Sequence, residues 1–205
     1  MASSPAPPEA GAQTTSVREI RRLETRARLF EAAIDEISAR GLARADVTAI
    51  TKAVGVVRGT FYFHFPTKEH VLVELQHREE VAVVDALRGA PSAADDLEPL
   101  LTLLVRHILD AGRRMGTVVF QDMLGMQFSS SRPADIAFDE HPVMQYIMEI
   151  ITNAQRAKRI SANSDPRELA LFFGTGLYAL LAVGIHDFGA LSRYVTTIVK
   201  GVENR

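Results

Sequence analysis

The sequence predicts an all-α protein, built as a three-helix head with a helix-turn-helix followed by a longer helical body. Three observations carry this. Apolar residues recur at helical spacing through most of the 205 residues, interrupted at Gly, Pro and Ser clusters. No strand-like alternation lasts long enough to define a sheet, and no internal repeat occurs. Between Val47 and Lys68, VTAITKAVGVVRGTFYFHFPTK, two short helices meet at Gly55, whose missing Cβ permits the positive φ of a sharp corner. A hydrophobic content of 47% with 23% charged residues fits a globular chain of one or two domains with a real core.

Taken in order, residues 1–16 are rich in Pro, Ala and Ser and read as a disordered tail. A first helix spans Val17 to Arg40, with Ile20, Leu23, Ala27, Phe30, Ile34 and Ile37 on one stripe, and closes at Gly41. Val47, Ile50, Ala53 and Val54 form the apolar side of the first motif helix, roughly 48–54, with Thr48 as its N-cap. The second motif helix spans 57–64 and stops before Pro66. Thr67 caps a long helix from Lys68 to about Arg88, halted at Gly89-Ala90-Pro91, which joins head to body. Further helices are expected at 94–112, 114–129, 142–159, 166–185 and 188–203. Their breaks are Gly112, the loop Ser129–Pro133, Ser161–Ser164, and Gly184–Asp187.

Two short helices at a tight Gly turn can set the second one in a DNA major groove. Sharp interhelical turns also serve proteins that never meet DNA, so the spacing alone leaves that use open. Within the motif, Phe61 and Phe65 lie four apart and pack inward on Phe30 and Ile34. Arg58, Thr60, Tyr62 and His64 then project outward. Arg58, the long donor at the start of the helix, suits a base edge such as guanine. The hydroxyls of Thr60 and Tyr62 suit phosphate oxygens, as do Lys68 and Thr48 at their helix N-termini. The full set expected to face DNA is Arg44, Thr48, Val57, Arg58, Gly59, Thr60, Tyr62, His64 and Lys68. Phe63 either meets a thymine methyl or packs beneath the long helix, and packing is the favoured reading.

The residues Gly55-Val56, Gly59-Thr60-Phe61-Tyr62, His64-Phe65 and Lys68, preceded by Thr25-Arg26, Ala32-Ala33 and Gly41, resemble the amino-terminal signature of the TetR family of bacterial transcriptional regulators. The resemblance covers roughly residues 22–72, about a quarter of the chain. It implies a three-helix DNA-binding head, residues 17–66, and a ligand-binding and dimerisation body, residues 67–205. It also implies a homodimer that holds operator DNA and releases it when a small molecule binds. Two positions depart from the pattern. Val57 stands where the family has Ser or Thr, a cap worth ~1 kcal/mol. Thr51 replaces a small residue at a helix–helix contact.

Charge supports that orientation. Residues 18–68 hold ten Lys/Arg and six Asp/Glu, a balance of +4, whereas residues 69–205 hold 13 and 18, a balance of -5. A basic head on an acidic body suits contact with a phosphate backbone at one end.

In the body, PRELALFFGTGLYALLAVGI at 166–185 is apolar nearly all round. Together with 188–203, where Leu191, Tyr194, Val195 and Ile198 share a face, it fits a two-helix surface pairing with its copy in a four-helix bundle. A buried core helix of a monomer gives the same pattern. The segment MGTVVFQDMLGMQF at 115–128 offers a soft cavity lining, with Gln121, Asp122 and Gln127 to orient a polar end. Phe120, Met123, Gln127, Tyr146, Phe173 and Tyr178 are the expected walls for a largely apolar effector, although such residues also read as ordinary core.

Cysteine is absent, which removes disulfides, thiolate metal sites and a Cys nucleophile. His64, His70 and His77 do not share one face as metal ligands, and His107, His141 and His186 fall in separate segments without a catalytic motif. No cofactor, metal or enzymatic activity is expected. With neither a leader pattern nor an 18-residue apolar run, the expectation is a cytoplasmic chain with no membrane contact. The alternative is a helical protein–protein interaction module whose head no longer binds DNA, drawn from Val57 and the modest basic excess.

Overall fold

The computed structural model describes residues 16–89, 96–133 and 141–203. Among them run nine α-helices: α1 (Val17–Arg40), α2 (Val47–Val54), α3 (Arg58–His64), α4 (Lys68–Gly89), α5 (Leu97–Met115), α6 (Thr117–Gln127), α7 (Pro142–Arg156), α8 (Pro166–Ala182) and α9 (Phe188–Val202). A single 3-10 turn, Leu42–Arg44, bridges α1 and α2. The tail expected at 1–16 lies outside the described residues except for Ser16, as do Ala90 and Pro91.

Ser16 caps α1, its Oγ accepting the Glu19 N–H at 3.2 Å. The buried side of α1 is Leu29, Phe30, Ala33 and Ile37, because the apolar side chains of α2, α3 and α4 gather around α1 only from Leu29 onward. The upper half of the expected stripe is corrected: Ile20, Leu23 and Ala27 are exposed. In α2 the cap is Asp46, not Thr48. The helix starts one residue earlier than expected, and Asp46 Oδ1 accepts the Thr48 N–H at 2.8 Å. Ala53 faces solvent, while Val47, Ile50, Thr51 and Val54 are buried.

Gly55 ends α2 in the left-handed conformation, φ 77° and ψ 34°. The N–H of Val56 reaches back to Thr51 O at 3.0 Å and that of Gly55 to Lys52 O at 3.2 Å, satisfying carbonyls that the helix end would orphan. Thr51 keeps its hydroxyl within its own helix, on Val47 O at 3.0 Å, so this departure from the family pattern leaves no polar atom facing the helix contact. The head core closes with Phe61 and Phe65, ring centroids 5.7 Å apart, and with Phe30 at 6.3 Å from Phe65.

The body helices begin and end within a few residues of expectation, with one relocated break. Gly112 does not interrupt α5; Gly116 does, at φ 84°. Gly112 serves packing, since a Cβ there would stand 2.7 Å from the Phe120 ring. In α9, Leu191, Val195 and Val199 are buried against the body core. This corrects the expectation that Leu191 and Val195 belong to a dimer face. Gly176 likewise receives a side chain, because Tyr194 lies over it and donates to Phe173 O at 2.7 Å.

Head and body meet at a seam of Ile37, Ala45, Leu72, Val119 and Met126, buried together. α6 forms the body side of that seam. No helix among the described residues is long and apolar enough to cross a membrane.

Candidate nucleic-acid interface and ligand cavity

The exposed face of the head is assembled by the end of the 3-10 turn, the start of α2 and all of α3. Arg44, Thr48, Val57, Arg58, Gly59 and Tyr62 are exposed, and Thr60 and His64 are half-buried. Arg58 and Tyr62 stand one turn apart, so the guanidinium lies 5.7 Å from the ring centroid and Nη2 donates to the phenol oxygen at 3.2 Å. The pair holds a cation outward without burying it. Val57 sits at the N-cap of α3 with no side-chain hydrogen bond, and of the first N–H groups that of Thr60 donates to Val57 O at 2.9 Å. Partial burial, with the charges of Arg22 and Arg26, holds His64 below the ordinary imidazole value and therefore neutral near pH 7.

Two expectations for this face are corrected. Phe63 does not pack beneath α4; it is 72% exposed, with only an edge contact to the His64 ring at 5.0 Å. Its position between Phe61 and Phe65 turns it away from the core face. Lys68 does not reach outward either. Its ammonium donates to Leu42 O at 2.7 Å and Ala45 O at 2.9 Å, with Ala43 O at 3.4 Å, so all three protons are directed at the 3-10 turn. The residue fixes the loop that presents Arg44. The Asp46 cap was legible, because an Asp just before an apolar periodic run is a standard helix start.

Within the body, a cavity of about 20 Å³ lies among α4, α5, α6, α7 and α8. Three expected walls line it: Phe120, Met123 and Tyr178. Gln127 stands one step behind, donating to the Gln76 side-chain oxygen. Tyr146 and Phe173 do not line it. Tyr146 belongs to the body core, and Phe173 faces a separate apolar hollow of about 210 Å³ bounded by α5, α7, α8 and α9. The reason on α8 is helical phase, since five residues rotate Phe173 about 140° from Tyr178. Gln121 and Asp122 are also reassigned. Gln121 meets His186 Nε2 at 3.2 Å, and Asp122 points away from the cavity.

Sequence reasoning missed the polar side of the cavity. Glu80 and Gln76 lie on α4 and are 5% and 3% exposed. Glu80 Oε1 accepts Gln76 Nε2 at 2.6 Å and the Tyr178 hydroxyl at 3.2 Å; Oε2 faces His141 Nδ1 at 3.3 Å. Arg132 reaches His141 Nε2 at 2.7 Å. Arg132 has only protons to offer, so Nε2 accepts in that contact. Burial, and then the Glu80 charge, push the Tyr178 phenol well above its ordinary value. A Gln and a Glu four apart on a long helix read as a solvated face, and nothing local signals otherwise.

α6 has two working faces. Phe120 and Met123 line the cavity, while Val119 and Met126 enter the seam with the head. From that second side Asp122 Oδ2 accepts the Leu42 N–H at 2.6 Å. Gly41, at φ 76°, turns the chain into that contact.

The arrangement defines an all-helical protein with a helix-turn-helix head joined to a cavity-bearing body. Residues 29–75 match the family model for bacterial regulatory proteins of the tetR family, so the head of the chain is similar to that family's amino-terminal domain. It is 28% identical over 78 residues to an uncharacterized HTH-type transcriptional regulator, YvdT, of Bacillus subtilis strain 168, covering 38% of this chain and 40% of that protein. Over 80 residues it is 36% identical to a probable HTH-type transcriptional regulator, ArpR, of Pseudomonas putida, covering 38% and 36%. These matches span about two fifths of each relative's length or less. Among solved structures, Thermus thermophilus FadR, a TetR family transcriptional repressor in complex with lauroyl-CoA, superposes with a TM-score of 0.67 at 20% identity. That likeness, which is one of fold, covers 85% of this chain and 91% of that one.

Proposed function

We propose that this protein is a transcriptional regulator, a repressor that binds operator DNA as a homodimer and releases it when a largely apolar small molecule enters the body cavity. The observation that carries the reading is the double face of α6. A molecule that pushes Phe120 and Met123 apart must displace the helix that also holds Asp122 on Leu42. Leu42 belongs to the turn that Lys68 clamps and that leads into the motif helices. The ligand acts only to the extent that it prefers the displaced arrangement.

The cavity of about 20 Å³ has room for a water and little more, so ligand entry and movement of α6 go together. The proposed DNA contacts are Arg58, for a base edge, with Arg44, Thr48, Thr60 and Tyr62 on phosphates.

The test is fluorescence anisotropy with duplexes from the region upstream of the protein's own gene, at low and at moderate salt. Specific binding with a steep salt dependence is expected. A folded dimer with no affinity at low salt would overturn the proposal and select the second reading, a head that docks a protein. The exposed apolar side chains of Val57, the N-cap of α3, at 75% and of Phe63 within it, at 72%, favour that second reading.

A further inference from the structure

We infer that the body cavity is built for an amphipathic amine: a compact apolar molecule with one protonated ammonium group, and not an anion such as a carboxylate. The inference rests on the cavity being the ligand site. Its walls carry two ionisable charges of the same sign, Glu79 at the side and Glu80 at depth, and no basic side chain. The cations that balance them stand behind the carboxylates. Arg114 holds Glu79 at 3.0 Å, and Arg132 reaches Glu80 through the ring of His141. An anion entering this space meets two carboxylates, while the donors on the wall, the Gln76 amide and the Tyr178 hydroxyl, are already turned toward Glu80.

Glu80 is also incompletely used. Both hydrogen bonds it accepts fall on Oε1, and Oε2, fully buried, accepts none among the described residues, with His141 Nδ1 at 3.3 Å its nearest ion-pair neighbour. A buried carboxylate oxygen in that condition is costly unless a donor arrives. An ammonium brings protons that the Glu80 carboxylate and the Tyr178 phenol oxygen beside it can accept. The remaining wall suits a flat apolar body. Phe120 offers a ring face, and Met115 and Met123 offer polarizable sulfurs that adapt to an aromatic guest.

Calorimetric titration of the full-length protein with three matched probes tests this: phenethylamine, 3-phenylpropionate and the neutral 2-phenylethanol. Phenethylamine is expected to bind, at least tenfold more tightly than 3-phenylpropionate, and Glu80→Gln is expected to weaken the amine at least tenfold while leaving the alcohol within about threefold. Comparing amine with acid on the unmodified protein needs no variant to fold. Equal or tighter binding of the acid overturns the inference, as does an amine affinity unchanged in a folded Glu80→Gln. Met123→Trp, which fills the space, separates the two levels of failure. If the acid binds the wild type at least as tightly as the amine and Met123→Trp abolishes that binding, the cavity is a ligand site but the amine class is wrong. If no probe binds the wild type at millimolar concentration, the amine class and the ligand reading of this cavity both fail.

Discussion

Arg58 and Lys68 carry the same formal charge ten residues apart and do different things. Arg58 is exposed and hydrogen-bonded to Tyr62 on its own helix, so removing it is expected to leave the fold intact. Arg58→Ala is expected to weaken specific operator binding by ~1–3 kcal/mol and to relax sequence discrimination, with an unchanged urea midpoint. Lys68 spends its protons on three carbonyls of the turn that starts α2. Lys68→Met is expected to lower stability by about 1–3 kcal/mol, through charge-assisted hydrogen bonds lost and carbonyls left unpaired. Urea unfolding followed by circular dichroism checks it, and a Lys68→Met protein as stable as the wild type would return the residue to the DNA face. At Val57 the direction reverses. A serine there can accept an N–H of the first turn of α3, so Val57→Ser is expected to raise stability by ~0.5–1 kcal/mol in the same measurement.

Between elements, charge ties α1 to α4. Glu74 takes the Arg26 guanidinium from α1 and Arg78 from its own helix, while those two cations lie over the Phe65 and Phe30 rings at 4.6 and 4.1 Å. Burial raises the Glu74 carboxyl, but the Arg26 hydrogen bond and the charges of Arg26 and Arg78 together outweigh it, and the net value lies below the ordinary 4.5. A depressed carboxyl contributes stability that is complete above the unfolded value and vanishes as the pH falls through the lower folded one. Unfolding free energy measured from pH 6 to pH 3 is therefore expected to fall on the acid side, with a shallower slope in Glu74→Gln. Helix existence and order were legible because each helix repeats its apolar residues at 3.6-residue spacing. The seam was not. Asp122 and Leu42 lie 80 positions apart, and an acid on an apolar helix looks like a pole for a ligand until the partner helix is in place. The Glu80 cluster stayed hidden for the same reason, since Arg132, His141 and Tyr178 reach it from three other segments.

At the scale of the whole molecule, the proposed operator binding demands two heads about one DNA turn, ~34 Å, apart. A pairing surface must therefore be rigid and lie away from the heads. α9 turns its apolar residues inward, which leaves α8 as the exposed candidate. Leu171 and Thr175, exposed, Ala179, half-buried, and Val183, exposed, recur at four-residue spacing along it, with Phe172 exposed alongside. Leu171 and Phe172 in α8 and Val183 at its C-cap are 42%, 59% and 75% accessible, apolar side chains that a lone chain would leave in water. Placing like charges on both copies of that face should separate them. The double variant Phe172→Glu with Val183→Glu is expected to sediment as a monomer with unchanged helicity. Its operator affinity should fall by about 10²-fold or more, because each head then binds without the effective concentration its partner supplies. Analytical ultracentrifugation and anisotropy on the same preparation decide the point. A variant that stays dimeric, or a wild type already monomeric at micromolar concentration, would remove α8 as the pairing surface.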